Sequence, residues 1–391
     1  MKPLNKNLIM LAALYIIPLT GLSIDIYVPS LPTLSHYFAT TAHEAQNTIS
    51  IYILGLGLSQ LFCGNIIDHY GRRKPLLISL ILYFILANLI IHMHSITHVS
   101  ILRLFQGIAM GFIAVSARSI FVDLYSGEEY YKKASYMTIA YSIGPIIAPA
   151  IGGYLEYLLG WKACFYFLVI YSLLGIAIVY FYIPETIVHR SKMEIKLIIH
   201  RYSAMLGNKE YMLNVIMLCM LNTALMLFAL IGPFLVQNKL HYSAVIFGQM
   251  ALLCGVSWFA GNLTNRLLID LDRKQKIKYS LLIGLIDIVI MFVLALFWFN
   301  LYVIIIPVCI LLIAASVIFS NLFVHSPTLF PKFSATAAAF MAGAFALLSS
   351  ATCGILSKLI TTNNQIPLVI GYAALFLCCV ICTSMSSSKD K

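Results

Sequence analysis

Asp25 and Arg103 are charged residues set inside otherwise apolar runs, in Ser23-Ile24-Asp25-Ile26-Tyr27-Val28-Pro29 and Leu102-Arg103-Leu104-Phe105-Gln106-Gly107. A charge in hydrocarbon is expensive, so each is a functional candidate by default. Asp25 stands about seven residues from the outer end of its run and Arg103 a few residues from the outer end of its own, at similar depth, where an ion pair is physically sensible. A carboxyl that exchanges an arginine for a different environment changes its hold on a proton, so protonation could follow conformation. A fixed structural ion pair is the alternative. A second cluster, Gly64-Asn65-Ile66-Ile67-Asp68-His69-Tyr70-Gly71-Arg72-Arg73-Lys74, places a helix-packing glycine, a carboxylate, a turn glycine and three cations between two apolar runs. A third is Gly144-Pro145-Ile146-Ile147-Ala148-Pro149-Ala150-Ile151-Gly152-Gly153. There Gly144, Ala148 and Gly152 recur every fourth residue as one small face for close packing, while Pro145 and Pro149 each remove a helix hydrogen bond and bend the rod. Gly153 extends the small-residue cluster.

These residues need a membrane to act in. The 391-residue chain is 61% hydrophobic and 10% charged, against roughly 45–50% and 25% for soluble domains. At roughly 20 residues per spanning helix, twelve runs qualify: about 8–31, 46–66, 75–94, 99–122, 133–157, 162–183, 211–236, 243–267, 278–298, 301–324, 335–359 and 366–386. The predicted fold class is therefore all-α and integral to the membrane, with twelve transmembrane helices. One long polar break divides six from six, giving an N-terminal bundle (1–185), a linker (186–209) and a C-terminal bundle (210–391). Within the linker, Ile195, Ile198, Ile199, Tyr202 and Met205 recur at helical intervals opposite Lys192, Lys196 and Arg201, which predicts an amphipathic helix along the inner membrane surface.

The net charge of +11 sorts by side. With the N-terminus inside, the inner side receives Lys2, Lys6, Arg72 to Lys74, Lys132, Lys133, the cluster from Arg190 to Lys209, Arg273 to Lys278, Lys332, Lys389 and Lys391, and the outer loops receive Lys162, Lys239 and Lys358. The positive-inside rule then places both termini in the cytoplasm and explains the basic balance without a nucleic-acid partner. The first run is too long for a signal-peptide core and reads as a retained helix. The nine cysteines lie in or near the runs and are expected as free thiols, and His92, His94 and His98 read as loop residues; no metal or cofactor site is expected. Gly261-Asn262 faintly repeats Gly64-Asn65, with Asn265 standing where Asp68 does, as a chain built from two related halves would have it. Asp287 is the only acidic residue deep in a run of the second half.

The Gly64 to Lys74 pattern resembles motif A of the major facilitator superfamily. Asp25 in its Asp-x-Tyr-x-Pro segment is similar to the helix-one signature of the drug:proton antiporters, Arg103 with Gln106-Gly107 resembles motif B, and the Gly144 to Gly153 segment resembles motif C. Together with Pro184-Glu185-Thr186, these point to the twelve-helix drug:proton antiporters and most closely to the bicyclomycin and chloramphenicol resistance (Bcr/CflA) group. The resemblance implies two six-helix bundles, a central cavity lined mainly by helices one, four, seven and ten, and alternating access. It assigns proton transfer to Arg103, a gate to Gly64, Asp68, Gly71, Arg72 and Arg73, and a gate at the interface of the halves to Gly144, Pro145, Ala148, Pro149, Gly152 and Gly153. In that fold Asp68 can face the start of helix eleven as a latch, and helix nine, with Asp287, lies at the bundle periphery. Polar groups on helices one, seven and ten, namely Tyr27, Asn222, Thr223, Ser316, Ser320 and Asn321, are the substrate-cavity candidates.

The expected function is proton-coupled efflux of amphipathic small molecules from a bacterial inner membrane, by a monomer whose partners are substrate, protons and lipid, with the proton as coupling ion and no cofactor. Export or proton-linked import of one defined metabolite such as a siderophore is the alternative within transport. A sensor that keeps the fold without moving anything would call for an output domain. An enzyme is disfavoured, because no paired carboxylates, nucleophile with base, or metal spacing lies near an interface.

Overall fold

The computed structural model describes residues 6–187, 195–360 and 364–387. Among them are twelve helices long and apolar enough to cross a membrane: α1 (Lys6–Tyr37), α2 (Ala42–Tyr70), α3 (Arg73–Ile91), α4 (Ile96–Leu124), α5 (Gly127–Leu159), α6 (Trp161–Tyr182), α7 (Lys209–Lys239), α8 (Ala244–Leu267), α9 (Arg273–Phe297), α10 (Leu301–Leu329), α11 (Ser334–Leu359) and α12 (Ile366–Ser387). A shorter linker helix, Ile195–Gly207, joins α6 to α7. The chain is a multi-pass membrane protein, and helices are its solution to spanning lipid because each satisfies its own backbone hydrogen bonds.

Several helices outrun their apolar runs. Expected over 46–66, α2 starts at Ala42 behind a capping box in which Thr41 and Glu44 satisfy each other's backbone, and it ends only at Gly71. Its 29 residues make about 43 Å, longer than a hydrocarbon core of roughly 30 Å, so its polar ends project. The first run also extends past the expected 31 to Tyr37, but it is not one rod. Pro18 and Pro29 divide it into Lys6–Ile16, Leu19–Asp25, a 3-10 turn at Val28–Ser30 and Leu31–Tyr37, since proline cannot donate to the preceding turn.

In the first half α2 and α3 pack on α4, α6 on α3, and α1 on α4 and α5; in the second, α8 and α9 pack on α10, and α7 on α11 and α12. The halves meet along two seams, α2–α11 and α5–α8. Both seams are closed from the middle to the end opposite Arg72. Along α2–α11, Ser350 Oγ donates to the Ser50 carbonyl at 2.6 Å and His43 Nδ1 lies 2.9 Å from Ser357 Oγ. Along α5–α8, a side chain at Gly153 would come within 2.6 Å of the Ala244 carbonyl, and one at Gly255 within 3.0 Å of Ile146. Across that same end, Gln237 Nε2 of α7 donates to the Pro29 carbonyl of α1 at 2.8 Å, and Gln46 Nε2 of α2 to the Leu230 carbonyl of α7 at 2.9 Å.

Towards the end that bears Arg72, contact along α2–α11 reaches Leu61, whose side chain lies against Gly343. A side chain built at Gly64 would meet nothing within 4 Å, so the close helix approach expected of this glycine is absent in this conformation. The linker helix sits at that end. Tyr202 OH donates to the Leu61 carbonyl of α2 at 2.7 Å, its ring lies 4.7 Å from that of Phe340 in α11, and Arg201 Nη1 donates to Thr336 Oγ1 at 3.2 Å. The predicted helix is thus present, but Tyr202 and buried Met205 dock it on the protein while Ile199 is exposed. Lys192, on its expected polar face, lies outside the described residues, as do Lys2, Arg190, Lys389 and Lys391.

Candidate functional site

Arg103 is fully buried and anchors the packing of α1, α2 and α4. Its Nη1 donates to Gln106 Oε1 at 2.7 Å and its Nη2 to the Ser23 carbonyl at 3.0 Å. The guanidinium lies over two aromatic faces, Tyr52 at 4.0 Å and Tyr27 at 4.7 Å. Aromatic faces carry negative charge density, so this cage offsets part of the desolvation cost of the cation. Ser23 Oγ lies 2.5 Å from Tyr83 OH, and Tyr27 OH 3.0 Å from Thr48 Oγ1. The close approach comes from glycine: a side chain at Gly55 or Gly107 would collide with the Leu104 or Tyr52 carbonyl of the facing helix.

The ion pair expected between Asp25 and Arg103 does not form. Helical geometry explains it. Ser23 and Tyr27 are four apart and share one face of α1, where Arg103 sits, whereas Asp25, two residues on from Ser23, projects about 200° around the axis. Asp25 is buried, has no ion-pair or hydrogen-bond partner among the described residues, and lines a cavity of about 200 Å³. That cavity is built by both halves: Tyr141, Pro145 and Pro149 of α5, Phe228 of α7, and Trp258 and Asn262 of α8. Among its lining residues Asp25 is the sole carboxylate, and no lysine, arginine or histidine faces it.

The proline-rich segment of α5 works on two faces. Gly144 and Gly152 meet α1, where a side chain would strike the Pro18 and Ile26 carbonyls, and Ala148 between them is fully buried; Gly21 of α1 receives the Pro145 ring. Pro149 and Gly153 lie on another face, against Gly248 and Ala244 of α8. The small-residue face therefore packs within its own half, and the neighbouring face makes the seam between halves. Because Pro145 has no N–H, the Tyr141 carbonyl loses its helical donor at the cavity wall.

At the α2–α3 corner Arg72 bridges Asp68 and Asp123, with its Nε 3.0 Å from Asp123 Oδ2. Glu185 accepts from the backbone N–H of Arg72 at 2.8 Å and of Arg73 at 3.4 Å, placing a carboxylate on the positive end of α3. Gly71 has φ +98°, and a side chain there would strike the Glu185 carboxylate, so both backbone and space require glycine. Arg73 Nη2 donates to the Tyr180 carbonyl at 2.8 Å. The described ion-pair partner of Asp68 is thus Arg72 and not the start of α11.

None of the six polar cavity candidates lines the Asp25 cavity. Tyr27 stacks on Arg103. Asn222 Nδ2 donates to Ser349 Oγ at 3.3 Å, and Thr223 is buried with no hydroxyl partner. Ser316 Oγ donates to the Trp258 carbonyl at 2.6 Å, Ser320 to Asn262 Oδ1, and Asn321 Nδ2 to Asn265 Oδ1 at 2.7 Å. The last three join α10 to α8; their i, i+4, i+5 spacing suits a packing seam as well as a cavity wall. Sequence reasoning missed Tyr52, Tyr83, Asp123, Tyr141 and Trp258. Of these only Asp123 left a signal, an acid at the cation-rich end of its run. Asp287 is buried, and its Oδ2 has no hydrogen-bond partner among the described residues. The nine cysteines are unpaired thiols.

Twelve apolar helices in two groups of six, joined by a linker helix and meeting at α2–α11 and α5–α8, are matched by the family profile of the Major Facilitator Superfamily over residues 16–350. The chain belongs to this superfamily of transporters. Its fold is shared by a D-xylose-proton symporter, with TM-score 0.78 and 15% identity, covering 96% of this chain and 97% of that one. Relatives in sequence include the bicyclomycin resistance protein homolog of Haemophilus influenzae, 30% identical over 44% of this chain and 43% of the relative, and multidrug resistance protein D of Escherichia coli, 28% identical over 42% of each. The chloramphenicol resistance protein CraA of Acinetobacter baumannii is 22% identical over 67% of this chain and 62% of the relative. The matched segments span less than half the length of the first two relatives and less than two thirds of the third.

Proposed function

We propose that this chain is a proton-coupled exporter of amphipathic small molecules that works by alternating access. The observation that carries the reading is Asp25, an unpaired buried carboxyl in a cavity whose walls come from both halves. Groups there exchange their surroundings whenever the halves rock, and a carboxyl in lipid-depth walls gains or loses its proton with that exchange. The aromatic and aliphatic walls suit an amphipathic guest. The names of the three relatives, each a resistance protein, support a drug as that guest, and the positive-inside rule supports a cytoplasmic Arg72 end. On that orientation the hydrogen bonds that join the halves through Ser350, His43, Gln237 and Gln46 lie on the outer side and the open space beside Gly64 on the inner side, as an inward-facing exporter would have them.

In this mechanism drug enters from the cytoplasm and displaces the proton of Asp25, the halves rock about α5, and an external proton returns the protein to the inward form. Arg103 acts as a fixed cation whose field and packing hold α1 in place, rather than as the partner of Asp25. The test is uptake of a labelled drug into inverted vesicles under an imposed proton gradient. Asp25→Asn is expected to abolish gradient-driven uptake while still exchanging drug down its own gradient. Retention of gradient-driven uptake by Asp25→Asn would overturn the assignment.

A further inference from the structure

A second cavity, of about 460 Å³, lies behind α7, walled by α7, α9 and α12 at the end that carries Arg72. It is separate from the Asp25 cavity and shares no lining residue with it. Its composition is graded along the helices. At the rim stand Arg273, Lys274 and Lys278 of α9; deeper, the walls are apolar, with Leu281 and Leu285 continuing down α9 and Met217 facing from α7. Between the two zones lies Asn214, only 6% exposed, whose Nδ2 has no hydrogen-bond partner. The one acid of the rim, Glu210, lies 3.9 Å from Arg273 Nη2 and 3.3 Å from His325 Nε2, so one negative charge faces three positive ones.

We propose that this crevice binds one anionic glycerophospholipid, with its phosphate at Arg273 and Lys278, an ester carbonyl at Asn214 and an acyl chain along Leu281 and Leu285. A buried amide nitrogen without an acceptor is costly, and an ester oxygen from a ligand entering the crevice removes that cost. Basic pockets between transmembrane helices attract anionic headgroups, and the apolar depth below the cations suits an acyl chain where a soluble anion would leave it empty. α9 faces outwards here, with Leu282 52% exposed, so lipid reaches the crevice directly from the bilayer. Bound there, a lipid ties α9 to α7, the helix that also lines the Asp25 cavity.

The test is native mass spectrometry of the purified full chain titrated with phosphatidylglycerol, phosphatidylcholine or inorganic phosphate, supported by thermal-stability curves in the same series. One phosphatidylglycerol is expected to bind in preference to phosphatidylcholine and to raise the unfolding midpoint, with phosphate alone giving no protection. The Arg273→Gln/Lys278→Gln double variant, which keeps the apolar walls, should bind it about thirtyfold more weakly. Asn214→Leu should weaken binding while leaving the midpoint of the lipid-free protein unchanged or higher. Equal binding of both lipids, unchanged affinity in the double variant, or equal protection by phosphate would each overturn the proposal, the last by making this a soluble-anion site.

Discussion

The corner between α2 and α3 and the corner between α8 and α9 occupy equivalent places in the two halves, yet they are held by different chemistry. At the first, Arg72 is shared between Asp68 and Asp123, Thr186 Oγ1 donates to Asp123 at 2.7 Å, and Glu185 caps α3. Charges there tie together α2, α4 and the chain beyond α6. At the second, a neutral pair joins α8 to α10 where the first has its ion bridge: Asn321 Nδ2 donates to Asn265 Oδ1, Asp272 caps its own helix through the Lys274 N–H at 2.9 Å, and the one ion pair of α9 described there, Arg273 with Glu210 of α7, is long at 3.9 Å and does not involve α8. An ion bridge depends on local dielectric and can exchange partners as a gap wets or closes. A neutral amide pair has directional bonds and no long-range field, and it can only hold or break. The comparison suggests that the first corner is the moving one and the second a hinge post.

Arg72→Ala is expected to break the comparison most strongly. It strands Asp68 and Asp123 without their cation, and transport in vesicles should fall by about tenfold or more, on the scale of losing one partner of a partly buried pair. Unchanged transport would reduce the charged corner to the status of the neutral one. Gly64→Leu comes next. The space beside Gly64 is open in this conformation, so the thermal midpoint should stay put, but α2 can no longer close on α11 at that end and drug export should slow several-fold. A cysteine cross-link between α2 and α11 near Gly64, formed in the parent background and lost in the variant, would separate blocked closure from misfolding. The smallest effect belongs to Asn265→Ala, which removes one partly buried amide bond: about 1 kcal/mol of stability, read by thermal unfolding, with transport changed less than about twofold. A larger loss of transport than in Arg72→Ala would reverse the comparison.

Twelve helices, two halves and the linker helix were determined by the sequence itself, because lipid forces every spanning backbone into helix and marks each span by an apolar run of fixed length. The turn glycine Gly71 and the twin prolines of α5 were equally local, since φ and missing N–H groups belong to single residues. What the tertiary structure decided is which way side chains point. Asp25 and Arg103 are matched in depth but not in azimuth: spacing sets Asp25 about 200° around α1 from Ser23, and only the packing of α1 on α4 decided that the Ser23 face is the one that meets Arg103. The same holds for Ser316, Ser320 and Asn321. Polar spacing on α10 fits a cavity wall or a seam, and only the position of α8, with Trp258 and Asn262 as acceptors, turned them to the seam. Asp123 and Glu185 reach Arg72 across 51 and 113 residues of chain. Their pairing follows from helices brought side by side, because a charge acts on whatever folding places within a few ångströms, however far away it stands in sequence.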